Sequence, residues 1–151
     1  MKWFHTILKK TRLFGQGKGL TQAKELEIAL QGTKGNIILS ILPSKIICVN
    51  AAVNNVVLYY ADNQGAICER TVRCTMRSFL EQFSPYLIRC HRSFLLNPGH
   101  LVRFYDTSDD PKVQVYEPCP FVIPVSKTYR HCVEEAIQLL TKRKKDTRQA
   151  Q

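Results

Sequence analysis

The chain has 151 residues, 44% of them hydrophobic and 23% charged, which suits one globular domain with a single sizeable core. No apolar run reaches the ~18 residues of a membrane-spanning helix, and the basic residues within positions 1–14 exclude a secretory signal peptide. The net charge of +10 comes from the two ends, because residues 25–140 hold 11 basic and 11 acidic residues. We therefore expect a cytoplasmic protein, whose overall charge says little about a nucleic-acid partner.

Residues 1–24 form a basic amphipathic segment that ends in a glycine-rich linker. Apolar residues such as Trp3, Ile7 and Phe14 fall near one helical face, with lysine and arginine between them, before Gly15–Gly19 breaks the pattern. This segment would pack on its own domain or on a partner copy, lie on a membrane surface, or stay disordered until it binds. The sequence leaves these three alternatives open.

Short β-type runs dominate the chain after the linker, separated by turns rich in glycine, proline and asparagine. They predict a mainly β domain over residues 25–141. The predicted strands are Leu26–Leu30, Ile37–Ile41, Ile46–Asn50, Val56–Tyr60, Ile67–Arg73, Leu87–Cys90, Phe94–Leu96, Leu101–Tyr105, Val113–Tyr116 and Phe121–Ile123.

One short inserted helix and one C-terminal helix complete the predicted domain. Met76–Phe83 has the helical period, and Thr75 is its predicted N-cap. The last helix is predicted to begin after Ser126, as a second N-cap, and to end within Lys142–Lys145. Residues 142–151 would then form a basic tail.

Enzyme signatures are absent from the sequence. No G-x-S-x-G, P-loop or H-E-x-x-H motif occurs. Cys90 and His91 are neighbours on a predicted strand, so their side chains would point to opposite faces and form no catalytic dyad. The six cysteines show no C-x-x-C pair of the kind that binds zinc. We expect no catalytic site, no metal and no cofactor, and reduced, mostly buried thiols.

The segment Tyr86–Asn97 is a predicted buried strand, a polar and basic break, and a second buried strand. Arginine can bond guanine through two parallel hydrogen bonds, and serine and histidine suit phosphate oxygens. Composition alone favours a simpler interpretation, in which the arginines are solvated and the asparagine satisfies a turn. The polar groups concerned are Arg89, His91, Arg92, Ser93 and Asn97.

Two stretches resemble the signatures of LytTR DNA-binding domains. Ile88–Asn97 is similar to the central motif, which reads as an apolar residue, Arg, any residue, His-Arg-Ser, an aromatic, two aliphatics and Asn. Ile123–Tyr129 resembles the second signature, Ile-Pro-Val-Ser followed by a basic pair and an aromatic. The resemblance covers about residues 26–140 in the family's order. Further matches lie at Ile46–Asn50, Asn54–Val56 and Arg73–Met76.

Three positions depart from the family pattern. Asn50 replaces an acid, Val56 replaces an aromatic residue, and Thr128 replaces the second residue of the basic pair. Family members usually carry a receiver or a membrane input domain as well, and this sequence has neither. An upstream sensor protein is therefore a candidate partner for this stand-alone output domain of bacterial response-regulator type.

The resemblance implies an elongated stack of antiparallel sheets, with loops of one edge that enter two successive major grooves and bend the DNA. It implies a transcriptional regulator that binds specific duplex sites without a helix-turn-helix, as a homodimer on repeated half-sites. Carried over by position, Asn54 and Asn55 belong to the first loop. The central motif supplies the second loop. The third loop holds Ser126, Lys127, Tyr129 and Arg130.

Other interpretations stay open beside this one. A domain that does not bind DNA would act as an interaction module, which sequesters a protein partner through the apolar N-terminal segment. An RNA-binding role is a third alternative, although the paired aromatic residues of an RRM platform are absent. A disulfide between Cys90 and Cys119 would block DNA binding if their Cα atoms lay within about 7 Å, and two unrelated thiols are the alternative.

Overall fold

The computed structural model describes residues 25–149, so the alternatives for residues 1–24 lie outside it. The described part is mainly β, as the sequence predicts. Its elements are β1 (Ile28–Gln31), β2 (Ile37–Ile41), β3 (Ile46–Ala52), β4 (Asn55–Ala61), β5 (Ile67–Val72), α1 (Met76–Phe83), β6 (Ile88–His91), β7 (Phe94–Leu96), β8 (Leu101–Tyr105), β9 (Lys112–Val115), β10 (Phe121–Pro124) and α2 (Arg130–Gln149), with 3-10 turns at Pro43–Lys45 and Pro98–His100.

The strands form three antiparallel sheets, which confirms the predicted fold class. A five-stranded sheet has the order β5-β4-β3-β7-β6, a three-stranded sheet has the order β10-β9-β8, and β1 and β2 form a hairpin. Three strands, β2, β7 and β8, have the predicted bounds, and the ends of the others differ from the predicted ones by at most two residues. No helix within residues 25–149 is long and apolar enough to cross a membrane.

The five-stranded sheet is buried on both faces, because each face carries its own hydrophobic core. Residues of one face, among them Ile88 and Leu96, pack with the three-stranded sheet and α2. Residues of the other face, among them Leu58 and Leu95, pack with β1, β2 and α1. Adjacent residues thus enter different cores, as the alternation of side chains along a strand requires.

Asn97 connects the sheets from inside the domain. Its side chain is only 7% exposed. Its Nδ2 donates to the carbonyls of Ile46 at 2.7 Å and Pro43 at 3.2 Å, and its Oδ1 accepts from the Gly99 N–H at 2.9 Å. One amide therefore fixes the start of β3, the end of β7 and the turn into β8.

Helix α1 begins as the sequence predicts, because the Thr75 hydroxyl accepts from the Ser78 N–H at 3.0 Å.

The prediction for the first strand is wrong by two residues at its start. Gln82 of α1 bonds both main-chain groups of Gln31, at 2.8 and 3.0 Å, and so holds the far end of β1. Leu26, which was expected in this strand, is 79% exposed and lies before it.

The predicted bounds of the C-terminal helix are also wrong. The Ser126 N–H donates to the Cys90 carbonyl at 2.9 Å and the Val125 N–H to the Pro111 carbonyl at 2.9 Å, so the sheet keeps this backbone extended. The helix therefore begins at Arg130, and Ser126 is not its N-cap. It continues to Gln149, through most of the predicted basic tail. Lysine, arginine and glutamine are good helix formers, so the helix can continue even where no apolar stripe is present.

We predict that Asn97→Ala lowers the free energy of unfolding by about 1–3 kcal/mol, because two buried carbonyls and one N–H lose their partner. Urea unfolding followed by circular dichroism measures this change. Asn63→Ala is the matched control, since Asn63 is exposed and bonds only the Lys45 ammonium among the described contacts. That control should stay within about 0.5 kcal/mol of the parent; an equal loss in both variants would contradict the structural role of Asn97.

Candidate nucleic-acid interface

The tip of the β3–β4 hairpin is a two-residue loop, Val53–Asn54. Ala52 still pairs with Asn55, and Asn54 has a φ of 58°, a left-handed conformation that asparagine tolerates. The Asn55 side chain donates through Nδ2 to the Val53 carbonyl at 3.2 Å. Asn54 is exposed and Asn55 half-buried, so the hairpin presents amides beyond the end of the sheet.

The β6–β7 turn presents an imidazole and a guanidinium. The His91 Nδ1 accepts from the Ser93 N–H at 3.0 Å, and the ring stacks edge-on to Phe94 with 5.8 Å between centroids. Arg92 is exposed at the tip. Its carbonyl accepts from Nη2 of Arg89 at 3.0 Å, so a side chain of β6 holds the turn in place.

The loop between β10 and α2 is joined to β6. After the Ser126 N–H bonds to the Cys90 carbonyl, Lys127 is exposed and Tyr129 is half-buried. The Arg89 Cζ lies 5.7 Å from the centroid of the Tyr129 ring, in a cation–π contact. Arg89 therefore packs between the second and third loops.

These three loops lie at one end of the five-stranded sheet. β3 pairs with β7 from Cys48 to Asn50, and the Ala51 N–H then donates to the Ser93 carbonyl at 2.8 Å. The end of β3 before the hairpin tip is thus bonded to the second loop, and the third loop is bonded through Ser126 to the end of β6 before the second loop. We call Val53–Asn55, His91–Ser93 and Ser126–Tyr129 together the rim.

The pKa of His91 is lowered from the ordinary value of 6.5, first because burial disfavours the charged ring and second because Arg92 is cationic. The ring is then neutral at pH 7. Because Nδ1 accepts the Ser93 N–H, the ring proton resides on Nε2. His91 thus offers one N–H donor.

A family model described as the LytTr DNA-binding domain matches residues 36–138. The chain belongs to the LytTR family. A LytTr DNA-binding domain of a Bacillus cereus protein has a similar fold, with a TM-score of 0.56, 21% identity, and coverage of 76% of this chain and 98% of that one. No curated protein matches the sequence. LytTR domains bind DNA and regulate transcription, and this role agrees with the fold class and with the resemblance found in the sequence.

Two residues predicted for the LytTR interface bond other parts of the domain. Asn97 uses its amide on three main-chain groups, as described above. Arg130 pairs with Asp106 and, at 3.2 Å, with Glu134, so its charge is already neutralised. Both side chains thus have structural roles, and their contact with DNA stays a prediction.

Two further predicted residues lie behind the rim surface. The Nε of Arg89 is buried, and its Nη2 holds the carbonyl of Arg92. The Ser126 Oγ is buried and has no hydrogen-bond partner in the described part of the chain. Arg89 and Ser126 thus support the LytTR loops, and their contact with DNA stays a prediction. The other predicted residues of the rim, exposed or half-buried, are Asn54, Asn55, His91, Arg92, Ser93, Lys127 and Tyr129.

The structure gives no support to a disulfide between Cys90 and Cys119. Burial raises the pKa of the Cys90 thiol to about 12, and its Sγ donates to the carbonyls of Phe94 and Pro124. Cys119 is exposed, and both are free thiols. A buried thiol with this pKa supplies almost no thiolate for exchange. Within residues 25–149, no group of three His, Cys, Asp or Glu residues is placed to hold a metal.

The sequence analysis missed two features beside the hairpin tip. Val53, at the tip itself, is 86% exposed. Arg73 and Thr33 border an open groove with the amides of the first loop. An apolar residue directly before Asn54 would have indicated the first feature; the second depends on a long-range contact that no local pattern encodes.

We predict that His91 titrates below 6.5 and is the Nε2–H tautomer when neutral. Long-range ¹H–¹⁵N NMR spectra across pH 4–8, with His91→Gln for assignment, measure both. Because the folded-state pKa is the lower one, the stability contributed by this ring is complete above pH 6.5 and is lost as the pH falls from 6.5 through the folded-state pKa. An Nδ1–H tautomer, or a pKa above 6.5, would contradict the arrangement.

Proposed function

We propose that this LytTR domain is a transcriptional regulator that binds specific sites in duplex DNA by inserting rim loops into successive major grooves. The observation that carries the proposal is the hydrogen-bonded rim, which presents amide, imidazole, guanidinium and ammonium groups from three loops side by side. Loops fixed on a rigid β frame are well suited to recognition. The role is that of a binding protein and not of an enzyme.

The chemistry of the rim fits base edges. Arg92 suits the O6 and N7 of guanine, and the amides of Asn54 and Asn55 suit the N6 and N7 of adenine. The apolar tip residue Val53 suits a thymine methyl group. His91 donates one N–H to an acceptor on a base or phosphate.

The charge of the rim fits a polyanion. Arg92 and Lys127 are exposed cations. The carboxylates of Asp106 and Glu134 would repel phosphate, but both are paired with Arg130. The pairing of Arg130 with these acids therefore supports binding indirectly, because it compensates their charge near the third loop.

The remaining parts of the proposal concern assembly and location. If two copies bind repeated half-sites, each domain contacts the major grooves of its own half-site, and the DNA can bend. A separate sensor protein would supply the signal. Such a regulator acts in the cytoplasm, where its DNA is.

Selection of bound sequences from a random duplex pool tests this function. A specific binder enriches a short motif, and the spacing of repeated motifs reports whether two copies bind together. The affinity for the enriched duplex should fall with salt, with a log–log slope that counts the phosphate contacts. A pool without enrichment and a flat salt response would reject DNA binding and favour the interaction module.

We predict that Arg92→Ala costs about 1–3 kcal/mol in binding and relaxes the preference at one base position, because a bidentate guanine contact is lost. Gel-shift titrations on the selected site and on its single-base variants measure both effects. Arg103→Ala is the matched control: Arg103 is exposed on another sheet, with its Cζ 5.0 Å from the Tyr105 ring centroid. A uniform loss across sequences would assign Arg92 to phosphate, and an unchanged affinity would refute the contact.

A further inference from the structure

An open groove of about 400 Å³ lies beside the hairpin tip, at the flank of the rim opposite to the third loop. Strand order explains its position. In the order β5-β4-β3-β7-β6, the third loop joins β6, whereas the groove lies where β5 ends. Val72, the last residue of β5, pairs with Val56, so Arg73 leaves the sheet next to Asn55. The groove thus continues the row of loops across the whole sheet.

The far wall of the groove is the turn between β1 and β2. The Thr33 N–H and Oγ both donate to the Arg73 carbonyl, at 3.2 and 3.4 Å. These bonds fix the turn to the end of β5 through the main chain. Lys34 and Arg73 are both exposed, so both cations are attached to backbone that these hydrogen bonds hold together.

The described residues that line the groove include one cation, Arg73, together with amides, hydroxyls and apolar side chains. The residues that line it include no acid. Arg77, on the first turn of α1, is paired with Glu81 at 3.2 Å, so its charge is compensated and does not contribute to the charge of the groove. The N-terminus of α1 is closed by the Thr75 hydroxyl, which leaves Arg73 as the cation of the groove wall. Lys34 is exposed and directly follows the lining residue Thr33, so it borders the groove.

The LytTR match covers only part of the groove. The family model begins at residue 36, after the turn that carries Lys34 and Thr33. The side of the groove formed by Arg73–Met76 lies inside the match, whereas the β1–β2 turn lies before it. The family assignment therefore does not account for the turn that completes the groove.

We propose that this groove is a second, sequence-independent contact that holds the phosphate backbone of the same duplex through Lys34 and Arg73. The proposal rests on the proposed DNA-binding function and extends it. A guanidinium and an ammonium on a rigid turn suit phosphate oxygens, the first as a fork and the second as a point charge. Asn54 and Asn55 would read bases at the mouth of the groove while the two cations hold its far wall.

The spacing sets where the contact falls on DNA. From β6 to β5 there are four strand intervals, or ~19 Å at about 4.8 Å each. At 3.4 Å per base pair, this distance corresponds to ~5–6 base pairs. The groove contact therefore lies toward one end of the footprint, away from the contact of the third loop.

The test compares the double variant Lys34→Ala/Arg73→Ala with the parent chain by fluorescence anisotropy over a salt series. The probes are the selected duplex and a scrambled duplex. We expect the log–log salt slope to fall by about 2, and the affinities for both duplexes to fall by the same factor at each salt concentration. Hydroxyl-radical footprints should lose protection at one end only.

Lys45→Ala/Arg103→Ala is the matched control, because it removes the same charge from positions outside the rim. Lys45 precedes β3 at the opposite end of the five-stranded sheet. The control should keep the parent slope; an equal drop in both double variants would mean that only net charge matters and would overturn the proposal. Circular dichroism and urea unfolding check the fold, and Lys34→Gln/Arg73→Gln repeats the test with longer polar side chains.

The outcomes separate the two proposals. If the parent chain and Arg92→Ala behave as expected but the groove variant keeps the parent slope and footprint, only the groove contact is refuted. If the parent chain binds neither duplex, the DNA-binding function itself is refuted. If the groove variant loses preference at a base position, the groove reads sequence and the phosphate assignment is wrong.

Discussion

The buried amide of Asn97 is the constraint on which the arrangement of sheets depends. A buried polar group is costly unless it is bonded, and this amide is satisfied only when β3, β7 and the turn before β8 meet at one point. The end of β7 thus becomes a fixed junction between the central sheet and the three-stranded sheet. From that junction, both hairpins that carry the rim extend toward the same end.

Main-chain hydrogen bonds then transmit this order to the loops. Ala51 to Ser93 and Ser126 to Cys90 bond neighbouring loops without using any exposed side chain. Arg89 adds a side-chain support below the turn, between the Arg92 carbonyl and the Tyr129 ring. The rim is therefore preorganised, and binding need not supply the entropy of ordering three separate loops.

Local patterns in the sequence predicted the local structure well. The Thr75 cap, the short helix and the strand alternation depend on neighbours within a few residues, and the structure confirms them. The start of the last helix was mispredicted because the sheet holds Ser126 extended through a bond to a residue 36 positions earlier. The bonds of Arg130 to Asp106 and of Asn97 to Ile46 were not predicted for the same reason, since these partners are distant in sequence. The family motif located the rim, but it could not separate residues that face outward from those that support them.

The hydrogen bonds that shape the rim are mainly backbone bonds and do not depend on the side chains at the loop tips. This independence has an evolutionary consequence. Exchange of Val53, Arg92 or Lys127 leaves the bonds between loops in place, because these side chains are exposed and support nothing else in the described contacts. Target preference can therefore drift among descendants of this chain with little penalty in folding. Divergent regulators can arise from one scaffold by single substitutions at the loop tips.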